Sequence, residues 1–356
     1  MGKKIKVGVI GCGSISNNHL ESYAGNPDVE IYALCDINEK NLHDKAEKFH
    51  VSRLYTDKDV MLAECPEIDA VSVCTWNAAH AECAIAALNA GKHVLCEKPM
   101  AMNAQQAEEM LAAAKKNNRL LMIGFVRRFG NDCAIVKDMI EHDRLGEIYY
   151  AKATYLRRRG CPGGWFGDKS RSGGGPLIDL GVHVIDLTRY LMGNPKPVSI
   201  YGATFHKLGD RPDIKGPAGY VSSSRTGEKD IFDVEDMATA MVRYDNGAVL
   251  QVEASFSLNI EKDQGTIEFF GTHGGIKLDP ELTYYGEMDG YMTNVTLSIP
   301  TALSFSGLFA NEVNHFVHCV QTGEPCRNPA EDGVALMKIL DGIYESARTG
   351  HEVVLN

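Results

Sequence analysis

Ile5-Lys6-Val7-Gly8-Val9-Ile10-Gly11-Cys12-Gly13-Ser14-Ile15-Ser16 decides how this chain is read. An apolar strand runs straight into closely spaced glycines, and a helix is expected to open behind them. That order builds a holder for a pyrophosphate. Gly11 permits the tight turn, and Gly13 lets the backbone come close to the phosphates. The third position needs a small residue where the helix packs on the strand, and here it is Ser16. The helix start then presents free N–H groups and a positive dipole end to an anion. Gly11, Gly13, Ser14 and Ile15 are therefore candidate cofactor-binding residues.

The context strengthens the glycines. A second strand, Glu30-Ile31-Tyr32-Ala33-Leu34-Cys35, ends at Asp36. An acid ~20–25 residues past the glycines is where a dinucleotide fold puts a carboxylate on the adenosine ribose. Its oxygens accept from the 2′- and 3′-hydroxyls, and its charge repels a 2′-phosphate. Ile37 and Asn38 bring no arginine to receive such a phosphate, so NAD is expected rather than NADP. The competing role for Asp36 is a turn or helix cap.

At 356 residues the chain has room for two domains with real cores. Its 44% apolar and 23% charged content is that of an ordinary globular protein. A formal net charge of -11 argues against nucleic acid, whose phosphates need a basic surface. No apolar run is long enough for a membrane span, and the basic start Met1-Gly2-Lys3-Lys4 lacks a signal-peptide core. The ten cysteines are scattered without a Cys-x-x-Cys pair, and several sit in apolar runs. A reducing, cytoplasmic location is expected. His315, His318 and Cys319 lie on one amphipathic helix without a second cluster, so no metal is expected.

Strand-like segments at Asp69–Thr75, His93–Cys96 and Leu120–Phe125 alternate with helices over Ala78–Ala90 and Asn103–Asn118. Alternation of this kind implies a parallel, doubly wound sheet. After a helix over Asn131–His142 the pattern changes. Strands are expected at Glu147–Arg158, Val198–His206, Asp236–Tyr244, Ala248–Leu258 and Thr266–Phe270, with Asn246-Gly247 as a hairpin turn. A helix is expected over Pro176–Met192, a long loop over Lys207–Lys229, and closing helices over Leu308–Gln321 and Ala330–Arg348. The expected fold class is α/β + α+β. A Rossmann dinucleotide-binding domain spans 1–124, and a substrate-binding and oligomerisation domain spans 125–356. The second is an open, mostly antiparallel β-sheet with helices on one face. An open sheet leaves one face wet unless another copy covers it, so a homodimer or homotetramer is expected.

Two clusters can do chemistry. Cys96-Glu97-Lys98-Pro99 closes a strand of the first domain, where ligands of an α/β sheet bind. Lys98 can point at the reacting end of a dinucleotide, and the bond to Pro99 can be cis. The alternative is an ordinary turn with a solvated lysine. The second cluster is Gly173-Gly174-Gly175-Pro176-Leu177-Ile178-Asp179-Leu180-Gly181-Val182-His183. Asp179 and His183 are spaced to share one helical face, with Asp186 and Tyr190 continuing it. Histidine titrates near neutrality, and an aspartate can orient it for acid–base work. The alternative is a solvated stripe or a buried structural network.

These segments resemble the Gfo/Idh/MocA oxidoreductases, which include glucose–fructose oxidoreductase and inositol dehydrogenase. The resemblance rests on Gly11–Ser16, Glu97-Lys98-Pro99, the run from Gly173 to His183, Gly124-Phe125-Val126-Arg127-Arg128-Phe129 and the closing Ala347-Arg348-Thr349-Gly350. It implies an NAD-dependent dehydrogenase acting on a sugar, glycoside or inositol-like polyol, with Lys98, Asp179 and His183 catalytic. In the implied mechanism His183, oriented by Asp179, removes the hydroxyl proton while hydride leaves for the nicotinamide. Lys98 stabilises the alcohol oxygen. Thr75, Trp76, Asn77, His80 and Glu97 are expected beside the cofactor, and Arg128 and Trp165 at the substrate. Trp76 stands where the family usually has proline. Trp165 can stack on a sugar ring, and the preceding Arg157-Arg158-Arg159 can bind hydroxyls or an acid. Alternatives within this resemblance are an NAD-using glycoside hydrolase of the α-N-acetylgalactosaminidase kind and a non-catalytic dinucleotide-binding regulator. The intact Lys98, Asp179 and His183 argue against the regulator.

Overall fold

Each glycine or asparagine that stops an early helix hands the chain to the next strand, and the result is a regular alternation. In order come β1 (Ile5–Ile10), α1 (Ser16–Ala24), β2 (Val29–Cys35), α2 (Glu39–Phe49), β3 (Leu54–Tyr55) and α3 (Lys58–Glu64). They are followed by β4 (Ala70–Val73), α4 (Asn77–Asn89), β5 (His93–Glu97), α5 (Ala104–Asn117) and β6 (Leu121–Gly124). The computed structural model describes residues 4–211, 213–215, 221–222, 230–301 and 304–355. Met1-Gly2-Lys3 and residues 212, 216–220 and 223–229 of the expected long loop lie outside the described residues.

The first sheet is all parallel, in the order β3-β2-β1-β4-β5-β6. Its central strands are apolar on both faces because helices cover both, as the buried Val7, Val9, Val71, Val94 and Leu95 show. Strand order reverses between β1 and β4, and ligands of such sheets bind at that switch point. Every strand of the sheet ends on the same edge, so the loops after β1, β2, β4 and β5 gather there.

The second half of the chain gives α6 (Asn131–Glu141), β7 (Ile148–Leu156), a short α7 (Lys169–Ser172), α8 (Val182–Leu191) and β8 (Pro197–Phe205). Then come β9 (Met237–Tyr244), β10 (Val249–Ser255), β11 (Gln264–Gly271), β12 (Gly275–Leu278), β13 (Thr283–Met288) and β14 (Tyr291–Thr296). The chain closes with α9 (Phe305–Thr322), α10 (Ala330–Thr349) and β15 (Val353–Val354). These strands form a mixed sheet in the order β14-β13-β12-β11-β7-β10-β9-β8-β15. It is mostly antiparallel, but β10 pairs with β7 in parallel. Alternate residues face the covering helices. Ile200, Gly202, Ala240 and Val242 are buried, while their neighbours Tyr201 and Met241 pair across the other face and are exposed.

The structure differs from the sequence reading in three places. The chain divides into one unit of Met1–Val126 with Ser304–Met337 and another of Arg127–Leu303 with Lys338–Asn356. The expected division at residue 124 therefore misses that 304–337 return to the first unit. They do so because α9 packs on α1, His19 against Phe309, and Asn328 hydrogen-bonds the edge of β6 at Ile123. The helix expected over Pro176–Met192 opens instead as a π-helical turn, Leu177–Gly181, before α8. As expected, the Asn246-Gly247 turn joins β9 and β10 in an antiparallel hairpin; Gly247 takes a positive φ of 87°, and the Asn246 side chain accepts from the Ala248 N–H. Strands β12 to β14 extend the second sheet beyond those expected.

Candidate functional site

The glycine turn is built as its residue types demand. Gly11 has φ +93°, and a Cβ there would lie 2.6 Å from the Cys74 backbone at the end of β4. Only glycine meets both conditions. A Cβ on Gly13 would meet nothing within 4 Å, so open space lies above that residue, where a phosphate would sit. Ser16 is buried, and its hydroxyl donates to the Gly13 carbonyl at 2.7 Å. The small third residue thus fastens the turn it had to fit. Helix α1 carries no acidic residue in its first turn, so its positive end is not neutralised from within. Ser14 is exposed and Ile15 half-buried.

Asp36 stands at the end of β2, half-buried beside that turn. One oxygen accepts from the Cys12 N–H at 2.5 Å and the other from the Asn38 N–H at 2.7 Å. The carboxylate therefore ties β2 to the glycine turn. The open space over Gly13, the uncompensated helix start and this acid together fit an NAD.

After β4, the Thr75 hydroxyl donates to the Trp76 carbonyl, Trp76 is half-buried at the start of α4, and Asn77 is buried. His80 departs from expectation. It is 1% exposed, with Nδ1 2.7 Å from the Pro99 carbonyl and Nε2 3.1 Å from the Thr75 carbonyl. Enclosed in this way, it braces two loops and does not face a ligand. Burial holds its pKa below the ordinary histidine value, against the pull of those two carbonyls.

Glu97 also turns inward. Its Oε1 is 2.9 Å from His19 Nε2, and its Oε2 accepts from the Lys98 N–H at 3.1 Å. Both oxygens are engaged within the unit, so the side chain seats Lys98 where the sequence reading put it on the cofactor. His19 Nδ1 lies 3.2 Å from the Ser72 hydroxyl, which pairs with the Tyr23 hydroxyl at 2.7 Å. All of these are buried. Burial alone would push the Glu97 carboxyl up. The hydrogen bond and charge of His19, with Lys98 and His80 behind, override it and hold it below the usual range. Lys98 itself is half-buried and its peptide to Pro99 is cis. Sequence reasoning missed His19, Ser72 and Tyr23. A signal was present: Ser16, His19, Leu20 and Tyr23 form the buried stripe of α1, and a histidine in such a stripe needs a partner.

In the second unit Asp179 and His183 are both half-buried, Asp179 within the π turn and His183 in the first turn of α8. π turns inside helices recur at functional sites. The glycines before them serve close packing. A Cβ on Gly174 would fall 2.0 Å from the Tyr344 hydroxyl, and one on Gly175 would fall 2.2 Å from the Glu235 carbonyl. Glu235 seats this turn. Its carboxylate accepts from the N–H groups of Gly175 (3.0 Å) and Leu177 (3.2 Å) and from the Tyr344 hydroxyl (2.8 Å). Burial pushes the Glu235 carboxyl above the ordinary range, because those neutral donors recover only part of the lost hydration. Glu235 and Tyr344 were also missed by the sequence reading.

Arg128, expected at the substrate, is instead closed off. Its side chain is 0% exposed and is held by Asp186 through Nη2–Oδ1 at 2.6 Å and Nε–Oδ2 at 3.0 Å. The Tyr190 ring covers the guanidinium at 4.4 Å. Buried Asp186 and half-buried Tyr190 thus form a structural network around that guanidinium. Trp165 is half-buried on a 3-10 turn, stacked on Phe166 with centroids 4.0 Å apart. Arg157 bonds the Gly160 carbonyl and Arg158 the Glu261 carbonyl. His315 accepts from the Arg327 N–H, and among the described residues no group of three or more His, Cys, Asp and Glu could hold a metal. Nine of the ten cysteines are buried, and burial raises the thiols of Cys12, Cys35 and Cys83 to about 12. No described helix is long and apolar enough to cross a membrane.

Two family models match successive stretches of the chain, and the second includes residues 304–337. Residues 5–125 match the family model described as "Oxidoreductase family, NAD-binding Rossmann fold", and residues 137–355 the one described as "Oxidoreductase family, C-terminal alpha/beta domain". The chain is 33% identical to D-glucoside 3-dehydrogenase of Escherichia coli (strain K12), over 99% of this chain and 97% of that protein. It is 30% identical to myo-inositol 2-dehydrogenase of Thermotoga maritima, over 92% of each. Among solved structures, levoglucosan dehydrogenase in complex with NADH and L-sorbose superposes with a TM-score of 0.87 at 26% identity, covering 100% of both chains.

Proposed function

The chain belongs to the Gfo/Idh/MocA oxidoreductases, and from that membership we propose that it transfers hydride between NAD and a secondary alcohol of a sugar, glycoside or inositol-like polyol. The observation that carries this reading is the placement of Lys98. It stands at the carboxyl end of β5, on the sheet edge that also holds the Gly11–Gly13 turn and Asp36.

Gly11, Gly13, Ser14 and Ile15 hold the pyrophosphate, Asp36 the adenosine ribose, and Thr75, Trp76 and Asn77 border the bound dinucleotide. When bound, NAD supplies the hydride acceptor. The chain supplies the rest. Lys98 donates a hydrogen bond to the alcohol oxygen and stabilises its growing negative charge. His183 takes the hydroxyl proton on its ring nitrogen, and Asp179 orients that ring. Trp165 offers an aromatic face to a sugar ring. Exposed Tyr201 and Met241, paired across neighbouring strands, support a homodimer or homotetramer through the open sheet. The acidic balance and buried cysteines support a cytoplasmic protein with no nucleic-acid or membrane partner.

The test is a screen of NAD reduction over free sugars, inositols and methyl and aryl glycosides. Net NADH formed from at least one of them is expected. Release of aglycone without net NADH would instead select an NAD-using glycoside hydrolase. No reaction, with NAD still bound, would select a regulator.

A further inference from the structure

Lys98 carries its amine on a flexible four-carbon stem, so the precision of that amine depends on how firmly its backbone is seated. Both neighbours of Lys98 are held by buried histidines from different helices. On one side His19 of α1 grips Glu97 Oε1 at 2.9 Å, and Glu97 Oε2 in turn holds the Lys98 N–H. Ser72 of β4 and Tyr23 fix His19 from behind. On the other side His80 of α4 uses the single N–H of its neutral ring on the shorter of two carbonyl contacts, Nδ1 donating to Pro99 at 2.7 Å, while Nε2 lies 3.1 Å from the Thr75 carbonyl. His19 is 0% and His80 1% exposed, so neither can meet a ligand directly.

We infer that His19 and His80 form a two-sided clamp on the Glu97-Lys98-Pro99 turn and are positioning residues for Lys98, a role that rests on Lys98 serving the alcohol oxygen. The clamp has a specific atomic signature. It uses Nε2 of His19 and Nδ1 of His80. A glutamine amide places its nitrogen near where a histidine has Nε2, and an asparagine amide near where it has Nδ1. His19→Gln and His80→Asn therefore keep the gripping donor, whereas His19→Asn and His80→Gln move it. All four variants keep a polar amide in the cavity, so a general loss of buried polarity affects them alike.

The experiment measures kcat with NAD and the alcohol selected by the screen, NAD affinity by titration, and hydrogen exchange of the peptide spanning residues 97–100 without ligand. His19→Asn and His80→Gln are expected to lose about 10–100-fold in kcat, with NAD affinity changed less than about 3-fold and faster exchange at that turn. His19→Gln and His80→Asn are expected to stay within about 3-fold of the parent. The double variant His19→Asn/His80→Gln should be little worse than the weaker single, because both act on one turn. Equal loss in the matched and mismatched amides, or unchanged exchange at 97–100, would overturn the clamp. Lys98→Met separates this from the functional reading. If it keeps full turnover, the assigned role of Lys98 fails. If it is inactive while both mismatched amides are fully active, only the clamp fails.

Discussion

The turn that carries Lys98 and the turn that carries Asp179 are both seated on a buried glutamate, yet the two glutamates are opposites. Glu97 has a histidine against one oxygen and is held anionic beyond the usual range. Glu235 meets neutral donors, among them the backbone N–H groups of Gly175 and Leu177 and the Tyr344 hydroxyl, and burial pushes its carboxyl the other way. The first seat grips through a side-chain histidine and one backbone N–H, and its backbone neighbour leaves a tight but not closed space. The second brings backbone against backbone so closely that glycine is required. A buried carboxylate can thus anchor a turn in two ways, and the presence of a cationic partner decides which ionisation state is favoured.

The largest effects should fall on the side chains the seats present. If both seats serve one reaction, Lys98→Met and His183→Ala should each lower kcat by about 10²–10⁴-fold, the usual yield of positioned acid–base and electrostatic groups. NAD affinity should change by less than about 3-fold in both. Steady-state rates with a parallel binding titration check this. A loss confined to one of them would break the pairing of the seats and leave the other turn structural.

Next in size is the difference in backbone packing. Gly124 pairs with Glu97 across β5 and β6, and a Cβ there would sit 3.3 Å from the Glu97 Cα, a tight contact that asks the neighbouring strand to give by a few tenths of an ångström. A Cβ on Gly175 would fall 2.2 Å from the Glu235 carbonyl, which no rotamer can relieve. Gly175→Ala should lower the unfolding midpoint by roughly 5–10 °C, and Gly124→Ala by at most about 2 °C. Thermal melts followed by circular dichroism test it. Similar shifts in both variants would remove the claimed distinction between side-chain and backbone seating.

The parts legible in the sequence were those whose cause is local. Gly11 and Gly13 follow β1 directly, Asp36 ends β2, and alternation alone announces a parallel sheet. The family resemblance added Lys98, Asp179 and His183 as catalytic positions. What seats them was not legible, because the partners are distant in the chain. His19 meets Glu97 78 residues away, and Gly175 meets Glu235 60 residues away. A pattern read in short windows cannot see such pairs. The same blindness misplaced His80, Glu97 and Arg128. Each was expected at a ligand from the family resemblance, and each is turned inward by a partner on another element. The π turn escaped for a different reason. The apolar spacing of 176–192 is compatible with a continuous α-helix, and the change in bonding over Leu177–Gly181 leaves no mark on composition.

The subtlest consequence of the comparison is a pair of opposite pH slopes. Folded Glu97 binds fewer protons than the unfolded chain does near and below the ordinary glutamate pKa of about 4.3. Its contribution is therefore complete above that pH and is lost as the pH falls through the lower folded value. Folded Glu235 binds more protons than the unfolded chain, since its carboxyl is held high. Its contribution is complete below about pH 4.3 and is lost as the pH rises through the higher folded value. Glutamine at either position abolishes the titration while nearly preserving shape. The difference in unfolding midpoint between the parent and Glu97→Gln should grow from pH 3.5 to pH 7, by about one to a few degrees. The difference between the parent and Glu235→Gln should shrink over the same range. Melting curves at half-unit pH steps read both. Slopes of the same sign would mean that the two carboxylates share one electrostatic environment, and that a histidine beside the first makes no difference to its proton.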